Sequence, residues 1–495
     1  MKKMIQRMMP MAMGLLAVSC NTAEDGDVGT PLPYYSEYGV NTFEDYAPQG
    51  GGNRFQEFTD NPFVQTSEQP TSTFSVDADG AAYAIMRRFV NNELKVNPSS
   101  VRIEEYLNYF TFDYALPSGQ HTVAINGETG PCPWNVEHRL LRLGIKGKEL
   151  QPSETPQANF VFLVDVSGSM NSQDKLPLLK SGLKMLLKEL NANDRISLIT
   201  YSGNVKKLLE STPVSEGDKI RQAIDKLYAS GNTAGGQALV MAYEEALANY
   251  DPRCNNRVIM GTDGDFNVGV TNTEELVSLA EEYAAKGIYM TCLGFGLGNL
   301  NDEMMEKLSN AGNGTYNYID SEEEMKKVFV DERERFVSVA NDAKCQVTFD
   351  STQVAAYRLI GYENRVISNE DFTDDTKDAV EIGAGQTITA LYEIVPRQGA
   401  VGAGRHCATF DMRYKKALGG ESIALSTDVT LKDGEASVNM TFAAGVAAYG
   451  MVLRSSPHRG EATLEMAAQL VEKSLSFDPH GYRKELLGLI RASKE

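Results

Sequence analysis

The chain has 495 residues, long enough for two to four domains, and 42% of them are hydrophobic, enough for packed cores. A formal charge of −20 argues against a nucleic-acid or anionic-lipid surface, since those need basic patches. A solvated acidic surface is the ordinary reading of that charge.

Residues 1–19 read as a signal segment. Lys2, Lys3 and Arg7 precede an apolar stretch, 8–18, that is too short to span a bilayer. It ends in Ala17-Val18-Ser19-Cys20. That ending resembles a bacterial lipobox with Cys20 as the lipidated first residue, although Ala17 stands where Leu is usual. The competing reading is an ordinary signal peptide cut near Ser19. No other run is long enough to span. The expectation is therefore a cell-envelope protein held at the outer membrane by its lipid alone. Residues 20–70 are rich in Gly, Pro, Asn, Asp and Glu, the composition of a flexible linker. Within them, Glu24, Asp25 and Asp27 resemble a surface-export signal of Bacteroidetes lipoproteins; a merely solvated linker accounts for them equally well.

Residues 71–150 form a first unit. Apolar spacing predicts helices over 81–90 and 101–110, separated by a turn and cap at Pro98-Ser99-Ser100. Strands are predicted over 122–126 and 139–145, with Trp134 between them. Residues 152–156 link this unit to a central domain, 159–337. That domain opens with an apolar run, 160–164, closed by Asp165, Ser167 and Ser169. Such a run reads as a buried parallel strand, and ligands bind beyond the carboxyl ends of such strands. One carboxylate and two hydroxyls there are hard oxygen donors, suited to Mg²⁺ foremost, then Mn²⁺ or Ca²⁺.

Further along, helices and strands alternate through residue 336. The pattern predicts a doubly wound, mostly parallel six-stranded sheet of order 3-2-1-4-5-6. Strands 1 and 4 are then neighbours at the switch point. Strand 4 ends in Asp263, so Asp165 and Asp263 should meet across that crevice. A Gly-rich loop, 230–236, offers Thr233 as a further donor. The set Asp165, Ser167, Ser169, Thr233 and Asp263 resembles the metal-ion-dependent adhesion site of von Willebrand factor type A (VWA) domains. The rival is a capped strand-to-helix turn without metal.

Other chemistry reads weakly. Asp263, Asp265, Asn267 and Glu274 approach an EF-hand loop, but Val268 stands where Gly is required. Ser172 with Lys175, and Ser181 with Lys184, fit S-x-x-K without the companion motifs of penicillin-binding enzymes, and read as coincidence. The five histidines form no metal or catalytic pattern. Five cysteines besides Cys20 leave at least one free thiol in a monomer. Cys292 reads as a strand filler; pairing among Cys132, Cys254, Cys345 and Cys407 stays open.

Residues 341–491 read as a C-terminal domain. Strands are predicted over 346–349, 354–360, 387–395 and 407–414, then helices over 441–453, 464–475 and 482–490. The two strands of the first unit are too few to stand alone. Either its helices cover them, or they join the C-terminal strands in one β-sandwich that carries the central domain as an insertion.

The stretches VRIEEYLNYF, DVSGSM, TDGDFNVGV, AYRLIGYENR, EIGAGQTITALYEI and GYRKELLGLI resemble the YfbK-type family of bacterial VWA lipoproteins. The resemblance implies a family-specific N-terminal domain, a VWA domain and a C-terminal domain of unknown function. It implies no substrate. The expected function is a non-enzymatic adhesion or assembly module. Its divalent cation would take an acidic residue from a protein partner. The alternatives are a metal-assisted hydrolase with Asp265 as base, and a purely structural envelope protein.

Overall fold

The computed structural model describes residues 52–77, 79–231, 236–264, 273–375, 379–399 and 404–494. Its centre is a six-stranded sheet: β1 (Ala158–Asp165), β2 (Arg195–Tyr201), β3 (Val205–Pro213), β4 (Asn255–Thr262), β5 (Ile288–Phe295) and β6 (Tyr316–Ile319). The spatial order is β3-β2-β1-β4-β5-β6, with only β3 antiparallel. This is the predicted order, and β1 and β4 pair directly, Val164 opposite Gly261. Helix Leu176–Glu189 covers one face through Leu179, Leu183 and Leu186. Helix Gly236–Ala248 covers the other through Leu239, Ala242 and Tyr243.

Two further sheets form a sandwich drawn from both sides of this domain. One runs Val64–Gln65, Val354–Ile360, Thr387–Pro396, Arg139–Gly147, Val123–Pro131, all antiparallel. Strand Arg139–Gly147, before the insertion, lies between its hairpin partner and strand Thr387–Pro396, after it; Leu143 pairs Ala390. The second sheet is built on Ser338–Phe349, which pairs Thr71–Ser75, Ile382–Gly383 and His406–Lys415; Ser422–Thr430 adds the far edge. The shared sandwich therefore holds. A period of two sorts strand Thr387–Pro396 cleanly. Ile388, Ala390, Tyr392 and Ile394 enter the sandwich core. Leu391 faces a helical layer instead. That layer comprises Ile103–Asn108, Val438–Arg454, Leu464–Lys473 and Tyr482–Ala492. Helix Val438–Arg454 is buried all round from Phe442 to Leu453, as the unbroken apolar run there requires.

Several expectations change. The linker expected over 20–70 is not free from Asn53 on. The Asn53 carboxamide oxygen accepts from Gly298 N (2.7 Å) and Leu300 N (3.3 Å), and Arg54 N donates to Leu300 O. Residues 322–336, the last of the alternating stretch, form no single helix but an α turn, a π turn and a 3₁₀ turn. Phe329 and Phe336 both turn into the core, while Lys327 is buried against Glu332 and the Tyr109 ring. Strand Ser338–Phe349 begins earlier than its apolar pattern suggests. Its inner residues Asp342 and Lys344 pair with each other, and Asp342 also pairs with Lys415. All five described cysteines are unpaired. No helix among the described residues is long and apolar enough to cross a membrane.

Buried arginines join the central domain to its frame. Arg102 donates to Asp302 through both terminal nitrogens (2.6 and 3.1 Å) and through Nε to Glu105. All three residues are shut away from water. Replacing Arg102 by Ala leaves two carboxylates buried without their cation, and we expect a loss of about 3–5 kcal/mol in urea denaturation. A loss under about 1 kcal/mol, typical of an exposed pair, would contradict this.

Candidate metal centre

Strand β1 is buried along its whole length and delivers Asp165 at its carboxyl end. Three backbone hydrogen bonds then pin the loop that follows. Val166 N donates to Tyr201 O (2.9 Å), Ser230 N to Val166 O (2.7 Å) and Gly168 N to Gly231 O (3.0 Å). The loop is thus held between the end of β2 and the stretch leading to residue 233. Gly231, at φ +81°, makes the turn there. Ser167 N donates to Asp165 Oδ1 (2.8 Å), which folds the loop back over its own carboxylate. The Ser167 and Ser169 hydroxyl oxygens lie 2.9 Å apart.

Strand β4 delivers Asp263 beside Asp165, and both are fully buried. Thr262 Oγ1 donates to Asp165 Oδ2 (3.0 Å) and accepts from Gly264 N (3.2 Å). Gly264 has φ +94°, and a Cβ there would stand 2.3 Å from Asn301 N. Only glycine fits so close to the loop after β5. Lys175 Nζ donates to Asp263 Oδ2 at 2.9 Å. Burial pushes the Asp165 carboxyl up to about 6; the Asp263 charge adds to this, and the Ser167 and Thr262 hydrogen bonds oppose it. Burial, and then the Asp165 charge, push the neighbouring Tyr201 phenol well up.

Asp165, Ser167 and Ser169 therefore share one loop, with Asp263 facing them across the switch point. Thr233 and Asp265 lie outside the described residues, as does Cys20. Thr262, Lys175 and Tyr201 are parts of the site that sequence reasoning passed over. Lys175 had a signal only in the S-x-x-K match, and that match points to different chemistry.

The donors suit a small hard cation. All are oxygens, two are carboxylates, and the hydroxyl oxygens are spaced like adjacent ligands of an octahedral ion, which at bond lengths of about 2.1 Å stand about 3 Å apart. Another acidic group, Asp77, Asp79 and Glu306, has oxygens within 4.8 Å of one another. It already holds a cation: Arg365 Nε donates to Asp77 (2.9 Å) and an Arg365 terminal nitrogen to Glu306 (3.1 Å).

Three family models match the chain. Residues 159–331 match the von Willebrand factor type A domain. Residues 49–142 match a von Willebrand factor model, and residues 334–495 match the C-terminal region of the uncharacterized protein YfbK. Among whole proteins, the uncharacterized protein YfbK of Escherichia coli is 37% identical over 464 residues, covering 89% of this chain and 81% of that one. The inter-alpha-trypsin inhibitor heavy chain 4 of Mus musculus is 28% identical over 42% of this chain and 22% of its own. A solved von Willebrand factor type A protein from Catenulispora acidiphila is 14% identical, with a TM-score of 0.45, over 76% of this chain and 91% of that one. With its central domain a VWA domain and its likeness to YfbK running through nearly the whole length, the chain belongs to the YfbK family.

Proposed function

We propose that this protein is an envelope-anchored binding module. Its VWA domain holds Mg²⁺ or Mn²⁺ at Asp165, Ser167, Ser169, Thr233 and Asp263, and takes a carboxylate of a protein partner as a further ligand. The observation that carries this reading is the pair of hydroxyl oxygens 2.9 Å apart beside two buried carboxylates. A small hard cation leaves positions to water, and an acidic side chain replaces water there. The ion stabilises charge that burial alone disfavours. Cys20 carries the lipid, the linker that follows it in sequence is the tether, and the outer membrane is the location. The proposed bounds are 71–150, 159–337 and 341–491, the first and last supplying the two halves of the shared sandwich.

The hydrolase alternative needs a base beside the ion. Asp265, the candidate that the sequence offers, lies outside the described residues, so no described geometry favours that reading. A binding role needs only the ion and an open face.

Two measurements check this reading. Asp165→Ala should abolish Mn²⁺ binding in calorimetry while circular dichroism stays native, because the substitution removes a ligand and relieves the repulsion with Asp263. Unchanged affinity in the folded variant would rule the site out. Separately, Cys20→Ala should move the protein from the membrane fraction to the soluble one, since a lipid chain is the only hydrophobic tether proposed. Persistent sedimentation with membranes after a salt wash would contradict the anchor.

A further inference from the structure

Lys175 occupies a place that its position in the chain does not announce. It stands at the start of helix Leu176–Glu189, ten residues beyond Asp165, with its backbone held by Ser172 O. Its side chain, 11% exposed, runs inward across Gly296 to Asp263, which is fully buried. A Cβ on Gly296 would stand 2.2 Å from Lys175 Cε, and Gly296 itself has φ +70°. The residue that lets the lysine pass is thus one that only glycine suits. At 2.9 Å the ammonium makes a charge-assisted hydrogen bond with a carboxylate oxygen that a metal would also seek.

We propose that Lys175 is the resident cation of the metal centre. It neutralises Asp263 when no divalent ion is bound and competes with that ion for the carboxylate. It also leaves the loaded site with a net positive charge that selects an anionic ligand. The proposal rests on the metal reading above. The charges add simply. Asp165 and Asp263 carry two negative charges and Lys175 one positive. A divalent ion turns the remaining negative charge into a positive one. Without the lysine the loaded site is neutral, and an incoming carboxylate gains less from it. The competition is equally direct. A donor nitrogen on Asp263 Oδ2 has to move away or share the oxygen before the ion can use it.

The rival role for Lys175 is to hold Asp263 in place for the ion, and it predicts the opposite sign. The test uses the full chain as wild type, Lys175→Met and Lys175→Arg, with Mn²⁺ alone as the probe. Lys175→Met keeps the apolar stem over Gly296 and removes the charge. We expect it to bind Mn²⁺ about tenfold tighter in calorimetry, the order expected when one competing charge-assisted hydrogen bond is lost. In chelator it should melt below the wild type, because buried Asp263 then loses the charge-assisted hydrogen bond from Lys175. Its melting temperature should then rise further on adding Mn²⁺ than the wild type's does. Lys175→Arg, which keeps the charge, should bind no tighter than wild type. Should Lys175→Met fail to fold in chelator, Lys175→Gln carries the same comparison. Equal or weaker Mn²⁺ binding by the uncharged variant, beside a wild type that binds, overturns the proposal and leaves the metal reading standing. Binding by the variant alone overturns the native metal reading and supports the role of Lys175. Binding by neither overturns both.

Discussion

Three buried arginines determine how the parts of this protein stand to one another. Arg87 binds Asp320 and Glu324, Arg102 binds Asp302, and Arg365 binds Glu306. The carboxylates all lie in the last part of the central domain, between residues 302 and 324. The arginines come from the segments before and after the insertion. A guanidinium suits such places because it stays charged and offers several donors in a fixed fork. Once these pairs are dry, separating them strands charges in a low dielectric. Helix Ala81–Asn91 adds apolar contact at the same junction: Ala81, Ala84 and Ile85 pack with Tyr316 and Tyr318 of β6. The central domain is therefore joined to its frame along one edge of its sheet, and the linker at 152–156 is not its only attachment.

The clamp reaches the candidate metal centre through a single loop. Asp302 begins the helix that follows β5, and the residue before it, Asn301, is the one against which Gly264 packs. Asp263 is the next residue back. Asn53 ties the same loop from the other side through Gly298 and Leu300. The position of Asp263 thus depends on the segment at Asn53, on the frame and on the sheet. Rigid support of this kind holds a ligand set within the tolerance that a small cation demands. The two carboxylates themselves are brought together by sheet order, which places β1 beside β4.

Much of this was legible from residues alone, for identifiable reasons. The run 160–164 ending in Asp165 carries a strand, its end and a candidate ligand in one stretch. The alternation of elements then implies a sheet order that brings Asp263 alongside. The marginal size of a two-stranded sheet pointed to the shared sandwich. What escaped has a common cause: it is settled by contacts distant in the chain. Strand Ser338–Phe349 hides behind Asn341, Asp342 and Lys344, which look like loop until Lys415 is seen to neutralise Asp342. The edge strand Ser422–Thr430 is too polar to show a clear core face. Lys175 reaches Asp263 only because Gly296, far along the chain, leaves it room. No local pattern contains that fact.

The central claim is that the oxygens at the carboxyl ends of β1 and β4 form the cation site. Crystals of the protein grown with Mn²⁺ and measured at the manganese absorption edge locate the ion directly. The expected result is an anomalous peak bounded by Ser167 Oγ, Ser169 Oγ and the carboxylates of Asp165 and Asp263. A peak among Asp77, Asp79 and Glu306 instead, or none beside Ser167 and Ser169, would contradict it.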